Sequence, residues 1–214
     1  MNFIGPVLDS VVIATATMAT EGNELVQLQG RNFGANSEYL TVSYSNADFT
    51  YSAAGCNISS YDEQISCWTM AGVGQNFSWT VSIGGNVYVS LQTKISYARP
   101  LIHEVTTTGG RLDTRGNTMF VVSGANFGPS TDGVTSVQYG PYHATCTMAV
   151  PHTQLSCTSI EGVGHGLTVS VVIGGAVAVQ PGNISLSYTP PSITTITVGD
   201  EYQLTTLKTK GNEK

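Results

Sequence analysis

The stretch Gly30-Arg31-Asn32-Phe33-Gly34 returns 94 positions later as Gly124-Ala125-Asn126-Phe127-Gly128. Further matches follow in the same order at an offset of 90: Ile65-Ser66-Cys67 with Leu155-Ser156-Cys157, Gly72-Val73-Gly74 with Gly162-Val163-Gly164, and Ile83-Gly84-Gly85 with Ile173-Gly174-Gly175. Ile95-Ser96-Tyr97 then matches Leu186-Ser187-Tyr188. Pro6, Leu8 and Val11 open the first unit, Pro100-Leu101-Ile102 with Val105 opens the second, and Pro191-Ser192-Ile193 with Ile196 repeats that opening once more. Self-similarity at a fixed period marks a repeated structural unit. The chain therefore reads as an N-terminal lead (1–5), repeat one (6–99), repeat two (100–190), and a segment (191–214) that begins as a third repeat begins.

Within each repeat the hydrophobic period is 2. Trp79, Val81 and Ile83 alternate with Ser78, Thr80 and Ser82, and their counterparts Val169, Val171 and Ile173 alternate with Thr168, Ser170 and Val172. Val26 and Leu28 correspond to Phe120 and Val122 ahead of the Gly-x-Asn-Phe-Gly turn. This is the pattern of half-buried strands, and no segment carries a helical stripe. Short strands broken by Gly, Asn, Asp and Pro, in units of about 90 residues, predict an all-β chain of two tandem immunoglobulin-like β-sandwiches.

Composition narrows the function. Of 214 residues 41% are hydrophobic, enough for a core in each repeat, while only 10% are charged. The surface is instead hydroxyls and glycine, with 48 Ser and Thr and 24 Gly. A net charge of −6 supplies no basic footprint, which argues against nucleic acid as a partner. No run approaches the length of a membrane span, so no membrane insertion is expected of this segment, and residues 1–6 lack the features of a cleavable signal.

Cys56 and Cys67 are separated by ten residues, and so are Cys146 and Cys157. An even count at duplicated spacing predicts the disulfides Cys56–Cys67 and Cys146–Cys157, hence an oxidising, extracellular compartment. Zinc is the competing reading, since His143 and His152 accompany the second pair. Repeat one has Ala53 and Asp62 at those positions and keeps both cysteines, so no metal is expected. Asn-x-Ser/Thr acceptors stand at Asn57, Asn76 and Asn183, with Asn76 and Asn183 in phase with outward-facing serines, so N-linked glycans are expected there.

The ordered series Pro-x-Ile/Leu, Gly-x-Asn-Phe-Gly, Cys, Ile/Leu-Ser-Cys, Gly-x-Gly, Ile-Gly-Gly and Ser-Tyr-x-x-Pro strongly resembles the IPT/TIG domain, twice over, across residues 6 to 190. The resemblance implies an immunoglobulin-like β-sandwich used as a module, and the cysteine pairs look like its extracellular branch. It implies little about what is bound, because such modules serve many partners.

Catalytic chemistry is not visible. Asp62-Glu63, the tightest acidic pair of repeat one, has His152-Thr153 as its counterpart and reads as a solvated turn; His103, His143, His152 and His165 read as surface residues. Gly-Val-Gly and Ile-Gly-Gly precede no helix that could hold a phosphate, and read as turns. Phe33 and Phe127 read as plugs beneath a corner. Trp68, with Thr158 as its counterpart, is either an exposed contact or a local packing change. No enzyme activity and no cofactor are expected.

The sequence therefore predicts a non-enzymatic extracellular structural protein, a tandem-sandwich subunit of a surface appendage or filament. The alternatives are a receptor or adhesion ectodomain fragment and a carbohydrate-binding accessory module of a larger enzyme. Expected partners are copies of itself or another surface protein. Because Arg99-Pro100 leaves almost no linker, the pair is expected to be stiff. The segment 191–214, with Ile193, Ile196 and Leu204, is expected either to start a truncated third domain or to add as a strand to a neighbouring subunit.

Overall fold

The computed structural model describes residues 5–89, 94–182 and 184–195. Domain 1 contains β1 (Val7–Ile13), β2 (Leu25–Arg31), β3 (Leu40–Ser45), β4 (Thr50–Ser52), β5 (Ala54–Ser60), β6 (Gln64–Trp68), β7 (Ser78–Ile83) and β8 (Asn86–Val89). Domain 2 contains β9 (Leu101–Thr107), β10 (Met119–Ala125), β11 (Val134–Tyr139), β12 (Tyr142–His143), β13 (Thr145–Val150), β14 (Gln154–Thr158), β15 (Leu167–Ile173), β16 (Ala176–Val177) and β17 (Ser185–Leu186). A 3-10 turn at Thr131–Gly133 precedes β11.

Both domains wind the same way. One sheet runs β1-β2-β6-β5 in domain 1 and β9-β10-β14-β13 in domain 2; the facing sheet runs β4-β3-β7-β8 and β12-β11-β15-β16, with β17 also on β15. Neighbouring strands pair antiparallel. Alternation places Val26, Leu28, Ile65, Val42, Tyr44, Trp79 and Val81 in one core and Phe120, Val122, Leu155, Val137, Tyr139, Val169 and Val171 in the other. The cores differ in filling: Trp79 lies opposite Tyr44 and stacks on it at 4.4 Å between ring centroids, whereas the residue opposite Tyr139 is Val169.

Each disulfide links an edge strand to its neighbour within one sheet. Cys56 on β5 is bonded to Cys67 on β6, and Cys146 on β13 to Cys157 on β14, with Cα atoms 4.2 and 4.0 Å apart. These are the close cross-strand positions of an antiparallel pair. The bonds staple the sheet edge, unlike the sheet-to-sheet bond of antibody domains.

The Gly-x-Asn-Phe-Gly corner has a separate reason for each residue. Side chains at Gly30 and Gly124 would strike the carbonyls of Val7 and Leu101 on the adjoining strand. Phe33 and Phe127 are fully buried. Asn32 and Asn126 adopt φ of 63° and 62°, a left-handed conformation that asparagine tolerates.

Candidate functional site: the joint between the domains

Three consecutive residues connect the domains, and each is fixed. Ala98 N donates to Met18 O of domain 1 at 2.7 Å, and Val179 N of domain 2 donates to Pro100 O at 2.9 Å. Arg99 O, between them, accepts from Asn126 Nδ2 at 2.9 Å. The asparagine of the repeated corner thus clamps the incoming chain, and Asn32 does the same for Gly5 O at 3.1 Å. Each residue of this connection carries one hydrogen bond to a domain.

Beside the connection, Val73 of domain 1 leaves its own domain and enters the core of domain 2, where it is 5% exposed. Its socket is made of glycines. A Cβ at Gly133 would lie 2.6 Å from Val73 Cγ2, one at Gly174 would lie 2.5 Å from Gly74 N, and one at Gly128 would overlap Val73 Cγ1. Full burial of a valine stabilises by roughly 1.5–3 kcal/mol. Phe49 packs against both cores and widens the apolar contact.

Val73 is held ready for this role by its own domain. Tyr51 Oη donates to Val73 O at 3.0 Å and accepts from Val73 N at 3.1 Å. Gly72 lets the ring in, since a Cβ there would lie 2.6 Å from Tyr51 Cζ. Behind it, Tyr97 Oη donates to Met70 O at 2.6 Å, Met70 N donates to Tyr44 Oη at 2.9 Å, and the two hydroxyls meet at 2.8 Å. Burial pushes the hydroxyls of Tyr44, Tyr51 and Tyr97 above the usual tyrosine range, so they stay protonated and keep donating.

A polar contact completes the joint. His152 Nδ1 lies 3.1 Å from Thr20 Oγ1 and 4.0 Å from Glu21 Oε1, and the histidine side chain is only 17% exposed. The expectation of a surface residue fails for His152, because domain 1 covers it; His103, His143 and His165 are exposed. Gly-Val-Gly is likewise more than a turn: its valine is an interdomain side chain.

Domain 2 carries the same clamp at its far end. Tyr142 Oη donates to Val163 O at 2.9 Å and accepts from Val163 N at 3.0 Å, while Tyr139 and Tyr188 repeat the paired hydroxyls beside Ile160. Val163 is nevertheless 70% exposed. It borders a groove of about 680 Å³ shared with Arg111, Thr114, Arg115, Tyr188 and Pro191. Arg115 hydrogen-bonds Asp113 at 2.9 Å and holds its carboxyl at about 2.

The remaining expected sites fall elsewhere. Asn57 is exposed on β5; Asn76 is exposed, but in a left-handed turn ahead of β7, outside the strand phase expected of it. Asn183, Ile196 and Leu204 lie outside the described residues. Residues 191–195 are exposed and form no strand, Ile193 included. Their counterparts in β9 owe their strand to pairing with β10. Trp68 is exposed and lies over Gly55, its Cδ1 3.2 Å from where a Cβ would stand, so its contact is local. Among the described residues no group of three or more His, Cys, Asp or Glu is placed to hold a metal, and no helix is long and apolar enough to cross a membrane.

The model of the IPT/TIG domain matches residues 6–97. Residues 6–97 are an IPT/TIG domain. Domain 2 repeats the strand order and landmarks of that IPT/TIG domain. No curated protein matches the chain. Among solved structures, a surface glycan-binding protein from Prevotella bryantii is similar over 81% of this chain and 40% of its own, at 10% identity and TM-score 0.48. The extracellular region of plexin A4 is similar over 81% of this chain and 26% of its own, at 9% identity and TM-score 0.33. Domains 5–6 of the S-layer protein SbsC are similar over 82% of this chain and 99% of theirs, at 12% identity and TM-score 0.27. The chain thus spans less than half the length of the first two, and at these identities the likeness concerns fold alone.

Proposed function

We propose that this chain is a non-enzymatic extracellular spacer, a stiff pair of IPT/TIG-type sandwiches that sets the distance and direction of a surface appendage or adhesive protein. The observation that carries the reading is the joint, where the glycine socket closes on Val73 and Asn126 fixes the connecting carbonyl. A binding module hung on a flexible tether needs neither. The two disulfides support an oxidising compartment. Exposure of Asn57 and Asn76 supports N-linked glycans at those two positions.

Small-angle scattering of the monomer tests the reading. The expected result is one narrow distribution of interdomain angles, broadened by Val73→Asp, which forces a carboxylate into an apolar socket. A distribution equally broad with and without that substitution overturns the spacer function.

A further inference from the structure

The leading face of domain 1 and the trailing face of domain 2 correspond to the two halves of the internal joint, and among the described residues no other domain covers either. Backbone hydrogen bonds fix the correspondence. Gly84 N donates to Tyr39 O as Gly174 N donates to Gly133 O, so Tyr39 stands where the socket has Gly133. Phe33 N donates to Asp62 O as Phe127 N does to His152 O, so Asp62 stands where the joint has His152. Gly22 N donates to Ala19 O as Gly116 N does to Asp113 O, so Arg115 stands where the joint has Glu21.

Both sides of the polar contact are therefore reversed together. Within the chain an acid, Glu21, on the trailing face meets a histidine on the leading face. On the unpartnered faces a base, Arg115, on the trailing face would meet an acid, Asp62, on the leading face. The apolar half is kept in part: Val163 is clamped like Val73, and Gly34 and Gly84 have no atom within 4 Å of a Cβ position. The exception is Tyr39, 68% exposed, at the floor of the socket.

We infer that Val163 and Arg115 form the docking face of a head-to-tail contact with a second copy of this chain, received by Gly34, Gly84 and Asp62 of its domain 1, with Tyr39 limiting how closely the faces approach. The inference rests on the spacer reading and extends the internal joint across molecules. Donor and acceptor faces differ, so the contact is heterologous and propagates into a filament unless its rotation closes a ring. The contact lies on the sandwich ends and needs no donated strand. Residues 191–195 are exposed throughout.

Analytical ultracentrifugation of the full chain over a concentration series tests the contact. The wild type is expected to show reversible head-to-tail oligomers below about 1 mM. Tyr39→Gly, which restores the glycine of the internal socket, should tighten association at least about tenfold, and Val163→Asp should return either protein to monomer. Arg115→Glu should weaken association about tenfold, and adding Asp62→His, which recreates the internal Glu–His pairing, should recover most of it. A wild type that stays monomeric, a Tyr39→Gly chain that associates no more tightly, or oligomers indifferent to Val163→Asp overturns the proposal. Scattering from the Val163→Asp monomer separates the two failures: a stiff monomer leaves the spacer reading standing while the docking falls, and a flexible one removes the spacer reading itself.

Discussion

Val73 and Val163 sit in the same tripeptide, held by the same tyrosine clamp at nearly the same distances, yet one is buried and the other stands in water. The position of the loop is thus a property of its own domain, while its burial is a property of the neighbour. An apolar residue presented rigidly to solvent loses little further conformational entropy when a partner covers it. Domain 1 shows the outcome once the partner is in place.

The two domains also differ in what their tyrosines are buried among, and alkali should give the largest effect. Tyr44, Tyr51 and Tyr97 in domain 1 and Tyr188 in domain 2 have hydroxyls pushed up chiefly by burial. Each favours its protonated form in the fold, so its contribution is complete below the unfolded value of about 10 and is lost as pH rises beyond it. Both tryptophans, Trp68 and Trp79, lie in domain 1, so their fluorescence follows that domain alone. Melting followed by this signal should fall steeply above about pH 10, and a flat profile would mean the hydroxyl network opens to water.

Reduction comes next. Replacing Cys56 and Cys67 by serine should cost domain 1 about 3 kcal/mol, and the same change at Cys146 and Cys157 should cost domain 2 about as much. Equal losses by chemical denaturation would confirm that the staples are local; a loss shared across both domains would show that they fold as one unit.

Val73→Ala should cost about 1.5–2 kcal/mol, from two buried methylene equivalents, and Val163→Ala less than about 0.5 kcal/mol. Comparable losses would break the comparison from which both assignments come. Tyr51→Phe should cost about 1 kcal/mol, because Val73 then lacks a partner for its N–H and carbonyl in a buried joint. Tyr142→Phe should cost less, since water replaces the hydroxyl at the exposed loop.

The sequence by itself determined the repeat, the sandwich class and the cysteine spacing, because each is written in local order: a period of 2 along a strand, a glycine at a turn, two cysteines ten residues apart. It also put Asp62 at the position of His152 and duplicated Gly-Val-Gly, which by itself reads as a turn. What it did not show is that the two valines have different fates, or that Asn126 and the three socket glycines serve the connection between domains. Those facts depend on atoms far apart in the chain, Val73 beside Gly128, Gly133 and Gly174, Thr20 beside His152. Only packing one sandwich against the other creates that surface, and a glycine needed for a turn and a glycine needed for a neighbour's methyl group are the same letter until it does.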